Sequence, residues 1–193
     1  MANPTGALLT PWLDDGGAPL APPLATLDLR GPRGALTGEA AAGLVAHVVA
    51  GGDSAARAYE RLVLSTWALG EDAARELARA IACLPRLRSA VLADIIAGRP
   101  EAEGLAVYRV LAAALTAGDC AARLEELDLS DNAVGTKGVA VLRPLLTRLP
   151  ALRRLFFCNC GISAEAARSI ADCLLLGEGE GAGAGTGAGA GAS

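Results

Sequence analysis

The chain has 193 residues, 52% of them hydrophobic but only 3% aromatic, with five cysteines and a formal net charge of −4. This acidic balance argues against a broad basic surface for nucleic acid, and no apolar run approaches the roughly 20 residues of a membrane span. We also find no basic start followed by an apolar stretch, so we expect no secretory signal and reduced thiols.

The two ends differ from the middle. Residues 1–23 contain five prolines and several glycines, so we expect an irregular, flexible N-terminal segment. Residues 177–193 are a Gly/Ala-rich stretch with too little apolar bulk to offset the entropy of ordering, and we predict a disordered tail. The folded domain is expected over residues 24–176.

The middle of the chain repeats itself. Equivalent apolar positions lie 35, 28, 37 and 28 residues apart, from Leu29 through Leu64, Leu92 and Leu129 to Phe157. A period in the twenties with the pattern L-x-x-L-x-L-x-x-N/C is the signature of leucine-rich repeats. Two stretches match it, one with asparagine and one with cysteine in the last slot: 124–132 and 152–160.

Each slot of this pattern predicts local structure. The alternating apolar residues predict a short strand with one buried face, and the apolar spacing that follows predicts a helix. Because one unit cannot cover its own apolar face, the units must stack. We predict an α/β leucine-rich repeat solenoid of the ribonuclease-inhibitor-like type, with about five repeats, parallel strands on the concave face and helices on the convex face. The strands are expected near residues 26–29, 61–64, 90–92, 126–129 and 154–157.

The last slot of the pattern should face inward. Asn132 and Cys160 fill it, and there they can bond backbone groups exposed at the turn. Trp67 occupies the slot in an earlier unit, which predicts an irregular turn. Cys158 and Cys160 form a C-x-C pair without a second Cys or His pair, which is weak evidence for zinc, so we expect neither a metal nor a cofactor.

The residue just before that slot forms a second column. Asn159 aligns with Asp131, Asp94 and Thr66, so the position is polar in four units. It should project at the rim where strands end and turns begin, which is where binding residues of such scaffolds usually lie. A merely solvated polar column fits the same pattern.

Three stretches resemble the Ran GTPase-activating proteins, most closely their plant and green-algal branch. They read ADIIAGRPEAEGL (93–105), DLSDNAVGTKGV (128–139) and LFFCNCGISAEAARSIA (155–171). The stretches 27–44 and 62–78 add to the resemblance, and the GRPE segment in this order is its most specific part. The family accelerates GTP hydrolysis on Ran, the small GTPase of nuclear transport.

The resemblance implies a role for Asn159. It matches the family's asparagine, which helps orient the GTPase's own catalytic glutamine, and that glutamine positions the attacking water. An amide can donate and accept without adding net charge, so the rate gain would come from restricted orientation. The chain would thus be an activator of Ran in its GTP form, without an active site of its own. The implied location is the cytoplasm, with the nuclear envelope as the alternative.

The resemblance also implies which residues bind the partner. Arg99 matches the arginine of the family's GR element and would contact Ran or hold the active surface, although a solvated loop charge is the alternative. Asp128, Asp131 and Asn132 match the family's LSDN motif, and Asp131 is the better contact candidate because Asn132 should face inward. Asp94 joins them because it shares the column of Asp131 and Asn159.

Other classes fit less well. A non-catalytic interaction scaffold derived from the same family is the main alternative. An inhibitor-type repeat protein would alternate 28- and 29-residue units, whereas the spacings here include 35 and 37. A self-contained enzyme lacks a nucleophile with a base, a phosphate-binding glycine loop and a metal cluster.

The last repeat is expected to be open on one side. Family members carry more repeats, and the stretch after Leu176 offers no bulky side chain to cover the final helix, expected over residues 164–176. Leu175 and Leu176 should then stay partly exposed. We therefore expect self-association through this end, or marginal stability.

Overall fold

The structure is a computed structural model that describes residues 24–50, 56–117 and 120–179. The predicted N-terminal segment, 1–23, and residues 180–193 of the predicted tail lie outside these ranges. The described strands are β1 (Thr26–Asp28), β2 (Gly34–Leu36), β3 (Arg61–Val63), β4 (Trp67–Leu69), β5 (Ser89–Val91), β6 (Glu126–Asp128) and β7 (Arg154–Phe156). The described helices are α1 (Gly38–Ala50), α2 (Glu71–Ile81), α3 (Glu101–Thr116), α4 (Cys120–Arg123), α5 (Gly135–Leu146) and α6 (Ala164–Gly179).

The main sheet has five parallel strands in the order β1-β3-β5-β6-β7. Its register aligns the central residue of every strand in one row, and four members of that row are buried: Leu27, Leu62, Ala90 and Leu127. All five predicted strands are therefore confirmed within a residue, and their pairing is parallel. The alternating pattern of the sequence is explained by burial of one face of this sheet.

Helices cover the buried face of the sheet. Successive helices α1, α2, α3, α5 and α6 pack side by side, each against its neighbours in the chain. Their inward side chains join the strand leucines in one hydrophobic core, which includes Leu77, Leu111 and Leu142. No helix in the described ranges is long and apolar enough to span a membrane.

The last helix differs from its prediction in two ways. The helical spacing of Ala167, Ile170, Ala171 and Leu174 in the sequence predicts that they share its inner face. Ala167 and Ala171 are instead exposed, and the fully buried positions are Ala166 and Cys173. In an alanine-rich helix adjacent faces are almost equally apolar, so contact with α5 decides which one turns inward. The helix also continues to Gly179, three residues beyond its expected end.

The added length of the third unit lies mainly on the helix side. Helix α3 has 16 residues, against 12 in α5, and the short helix α4 follows it. The turn from Ile96 to Arg99 accounts for the remainder. Pro100 comes directly before α3, and its carbonyl accepts the first backbone hydrogen bonds of that helix from Glu103 and Gly104, each at 3.0 Å.

The inward slot holds neighbouring units together. The buried amide of Asn132 donates from Nδ2 to the carbonyls of Leu92 and Leu129, both at 2.8 Å. Its Oδ1 accepts the N–H of Ile95 at 2.9 Å. The inward orientation predicted for Asn132 is therefore confirmed.

Trp67 takes the same slot by different chemistry. Its indole Nε1 donates to the carbonyl of Leu29 in the preceding unit at 2.8 Å. The irregular turn predicted there is wrong, because Trp67 begins β4, which pairs in parallel with β2 as a second, two-stranded sheet. The ring lies where a Cβ on Gly31 would be 1.9 Å from it, so this unit needs glycine beneath the indole.

Candidate functional site

The polar column of the sequence forms a ridge of left-handed residues, which we call the left-handed ridge: Thr66, Asp94, Asp131 and Asn159. Their φ angles are 64°, 54°, 58° and 53°, and they are the non-glycine residues with positive φ in the described ranges. Most L-residues avoid this region because Cβ approaches the carbonyl oxygen, whereas Asn and Asp tolerate it. Backbone geometry therefore accounts for much of the polarity that the column shows.

Backbone hydrogen bonds stack the ridge from unit to unit. The N–H of Asp131 donates to the carbonyl of Cys158 at 2.8 Å, and that of Asp94 donates to Ser130 at 3.0 Å. These bonds continue the ladder of the main sheet one turn beyond the strands. The ridge is consequently fixed to a regular scaffold, which limits the positions that its side chains can take.

Asn159 contacts Asp131 directly. Its Nδ2 donates to Oδ1 of Asp131 at 3.2 Å, and both side chains are exposed. Because a carboxylate only accepts, this bond turns the NH₂ end of the amide toward Asp131. The carbonyl oxygen of Asn159 therefore lies on the side of the amide group away from this bond.

Two depressions flank this pair of residues. A cleft of about 770 Å³ lies between the turn 96–99, the start of α3 and the turn 131–137, and Arg99, Asp131 and Asn159 all line it. A smaller depression of about 410 Å³ on the other side is lined by Thr66, Asp94, Asp131 and Asn159, together with Arg33. Asp131 and Asn159 therefore form the crest between the two depressions.

Arg99 is turned toward the preceding unit. Its Nη2 donates to the carbonyl of Ala68 at 2.6 Å, and its Nη1 contacts Oε1 of Glu103 at 3.3 Å. Only 23% of the side chain is exposed, and its Nε is buried without a hydrogen-bond partner within the described part of the chain. In this position the guanidinium ties the turn before α3 to strand β4.

A neighbouring carboxylate ties two helix starts together near Arg99. Oδ2 of Asp72, in the first turn of α2, accepts the N–H of Gly38 at the start of α1 at 2.8 Å. Backbone hydrogen bonds from Ala73 and Gly38 lower the pKa of Asp72, and the charge of Arg99 adds to that effect. Asp72 thus links residues of three successive units beside the cleft.

Asp128 lies apart from the ridge, on the outer face of the sheet. Its Oδ1 accepts the N–H of Ser130 at 2.9 Å, as Asp28 does for Arg30 at 3.1 Å in the first unit. This local bond is a turn that Asp and Asn often form. The residue is half-buried and lines neither of the two depressions.

The two cysteines beside Asn159 have opposite environments. Cys158 is exposed, whereas Cys160 is 2% exposed and its Sγ donates to the carbonyl of Leu129 at 3.0 Å. Burial raises the pKa of the Cys160 thiol. Across residues 24–50, 56–117 and 120–179, no group of three His, Cys, Asp or Glu side chains lies close enough together to hold a metal.

Sequence reasoning missed a row of charged residues on the outer face of the main sheet. The register places Arg61, Ser89, Glu126 and Arg154 side by side, one residue before the buried central row. We call these four residues the Arg–Glu row. The signal was available, because each residue comes directly before a core position of a predicted strand.

Comparisons with known proteins agree with the resemblance in the sequence. The chain is 38% identical over 100 residues to "RAN GTPase-activating protein 2" of Arabidopsis thaliana, covering 51% of this chain and 18% of that protein. It is 34% identical over 110 residues to "Ran GTPase-activating protein" of Drosophila melanogaster, covering 55% and 18%. The chain thus spans about a fifth of the length of these curated relatives. No family model matches it.

Solved structures support the fold alone. A tropomodulin C-terminal domain from Caenorhabditis elegans superposes with a TM-score of 0.51 at 14% identity, covering 80% of this chain and 84% of that one. The actin-binding site 2 of leiomodin-1 gives the same TM-score and identity, with 80% of each chain covered. At this identity the likeness concerns the arrangement of strands and helices.

Proposed function

Because this chain is related to the Ran GTPase-activating proteins over about half its length, we propose that it stimulates GTP hydrolysis on Ran. Asn159 contacts the GTPase's own catalytic glutamine and restricts its orientation, and the glutamine positions the attacking water. Restricting orientation removes part of the entropic barrier without new covalent chemistry. The chain then acts as a regulator of an enzyme, on the GTP form of its partner.

The pairing of Asn159 with Asp131 is the observation that carries this proposal. It directs the NH₂ end of the amide toward Asp131 on an exposed crest, which leaves the carbonyl oxygen on the other side of the amide group to accept from a partner. A carbonyl oxygen can accept from the side-chain NH₂ of a glutamine, and the amide adds no charge to a site that already holds phosphates. Asp131 and Asp94 are proposed partner contacts on the same ridge.

Arg99 and Asp128 have secondary roles in the proposed function. Arg99 holds the active surface, because its guanidinium is bonded to Ala68 and Glu103 and is mostly covered. Asp128 is the outermost contact, on the sheet face away from both depressions. We further propose that the stacked units over 24–176 form a leucine-rich repeat solenoid with the main sheet on its concave face.

Single-turnover hydrolysis of GTP on Ran, with and without the chain, tests the proposal. Wild-type protein should accelerate hydrolysis, and Asn159→Ala should slow it strongly while lowering stability by only about 1–2 kcal/mol, because alanine is strained at positive φ. Asn159→Gly is the matched control for the backbone, because glycine accepts positive φ freely. Loss of acceleration in both variants assigns the effect to the amide. Equal acceleration by wild type and both variants would refute the role of Asn159.

The second candidate is a non-catalytic interaction scaffold. It is favoured by one observation: the left-handed conformation of the ridge selects Asn and Asp for reasons of backbone geometry alone. An asparagine at residue 159 would then be present in a repeat that has no effect on hydrolysis. A wild-type chain that binds Ran but leaves single-turnover hydrolysis unchanged would select this candidate.

A further inference from the structure

The Arg–Glu row joins four strands of the main sheet, β3, β5, β6 and β7, through one carboxylate. Oε2 of Glu126 accepts the Nε–H of Arg154 at 2.7 Å, and Oε1 accepts the hydroxyl of Ser89 at 2.9 Å. Nη1 of Arg61 lies 3.3 Å from Oε1, because the small side chain of Ser89 lets the arginine reach across β5. Both guanidinium groups are therefore held on the outer face.

This arrangement leaves an excess of positive charge. The side chain of Glu126 is only 11% exposed, yet it remains ionised because two arginines face it. Burial raises its pKa, but hydrogen bonds from Arg154 and Ser89 and the charge of Arg61 outweigh burial, and the pKa is lowered. One carboxylate against two guanidiniums gives the row a net charge of about +1 at neutral pH.

The excess charge is presented by Arg154. This side chain is 54% exposed, and within the described ranges its two terminal nitrogens bond no other group. A fixed guanidinium with free terminal N–H groups matches the geometry of a carboxylate. Phe156, two residues along the same strand and on the same face, is 39% exposed and offers an apolar surface beside it.

We propose that the Arg–Glu row binds a carboxylate side chain of the GTPase partner, with Phe156 contacting an apolar side chain next to that carboxylate. This inference rests on the proposed function and extends the contact from the left-handed ridge across the sheet. A polyanion such as nucleic acid fits poorly, because Asp28 and Asp128 lie on the same face one row away. A single carboxylate of the partner would pair with the excess positive charge at Arg154 without approaching these aspartates.

Isothermal titration calorimetry with Ran loaded with a non-hydrolysable GTP analogue tests this, at several salt concentrations. Arg154→Ala should weaken binding about tenfold and make its salt dependence shallower. The matched control is Arg79→Ala on α2, which also loses one arginine from an arginine–glutamate pair, at 2.9 Å, but on the helix side of the fold. The control should bind within about twofold of wild type.

A second variant covers the case in which Arg154→Ala does not fold. Arg154→Gln removes the excess charge while keeping a hydrogen-bonding group toward Glu126, which Arg61 still faces, and it should weaken binding to a similar degree. Wild-type affinity and salt dependence in the folded variants would overturn the inference and leave the proposed function standing. No binding by the wild-type chain would overturn both. Saturable binding of inorganic phosphate, lost in Arg154→Ala, would overturn the carboxylate as the bound group.

Discussion

Replacing Asn132 in the inward slot by alanine should lower the free energy of unfolding more than the same replacement on the left-handed ridge. The amide is 1% exposed and makes four hydrogen bonds to backbone groups, at 2.8 to 3.0 Å. Two of those groups have a second partner: the carbonyl of Leu129 also accepts Cys160 Sγ, and that of Ser130 accepts the N–H of Asp94. The N–H of Ile95 and the carbonyl of Leu92 lose their partner.

The expected cost follows from these two buried groups. A buried polar group without a partner costs about 1–3 kcal/mol, so two of them give about 4 kcal/mol. For a chain of this size that corresponds to a fall of roughly 10 °C in the midpoint of thermal unfolding. Most proteins have a free energy of unfolding of about 5–15 kcal/mol, so this loss would be a large share of the total.

Urea titration followed by circular dichroism measures this cost, with Asn159→Ala as the matched control. The control makes the same chemical change one unit away, where it loses a single exposed hydrogen bond and places alanine at positive φ, and it should cost about 1–2 kcal/mol. The m-value should stay unchanged in both variants. Equal costs for the two variants, or a cost below about 1 kcal/mol for Asn132→Ala, would refute the assignment of the slots.

Three further outcomes are expected. Gly31→Ala places a Cβ 1.9 Å from the ring of Trp67 and should lower the thermal midpoint, whereas Gly43→Ala, with nothing within 4 Å, should not, as differential scanning calorimetry will show. Glu126 has a folded-state pKa below its ordinary value of 4.5, so its stabilising effect is complete above that pH and is lost as the pH falls through the folded-state pKa. Urea titrations at decreasing pH should therefore show a shallower loss of stability in Glu126→Gln than in wild type. Maleimide labelling at neutral pH should modify the exposed Cys158 first, since Cys83 is partly buried and burial covers the other three thiols and raises their pKa; prompt labelling of a buried thiol would contradict the packing.

The repeat pattern predicts the strands well because one physical cause produces both. Every second strand residue must enter the core, so the leucines mark strand position, register and parallel order together. The ridge was predictable for a similar reason, since a turn that needs positive φ selects Asn and Asp, and Asn159 stands in that column. Its bond to Asp131 depends on two exposed rotamers and was not predictable.

Other features depend on side-chain orientations that the spacing of residues in the sequence does not determine. The guanidinium of Arg99 turns back to Ala68, although a residue between a strand and a helix can equally face solvent. The indole N–H of Trp67 takes the place of a side-chain amide as the inward hydrogen-bond donor. This depends on the space that Gly31 leaves for the ring, which the residue type in the slot does not reveal. The Arg–Glu row arises from Ser89 being small enough for Arg61 to reach past it, a condition visible only once the register is known.

The left-handed ridge also bears on how activity can be gained and lost during evolution. A turn that admits few residue types supplies outward amides and carboxylates whether or not a partner uses them. Exchanges among Asn, Asp and Gly at Asn159 or Asp131 then leave folding almost unchanged while they change the hydrogen-bonding groups on the surface. Selection on stability therefore acts only weakly at these two positions, and the proposed activity can be lost with little change in expression level or melting temperature.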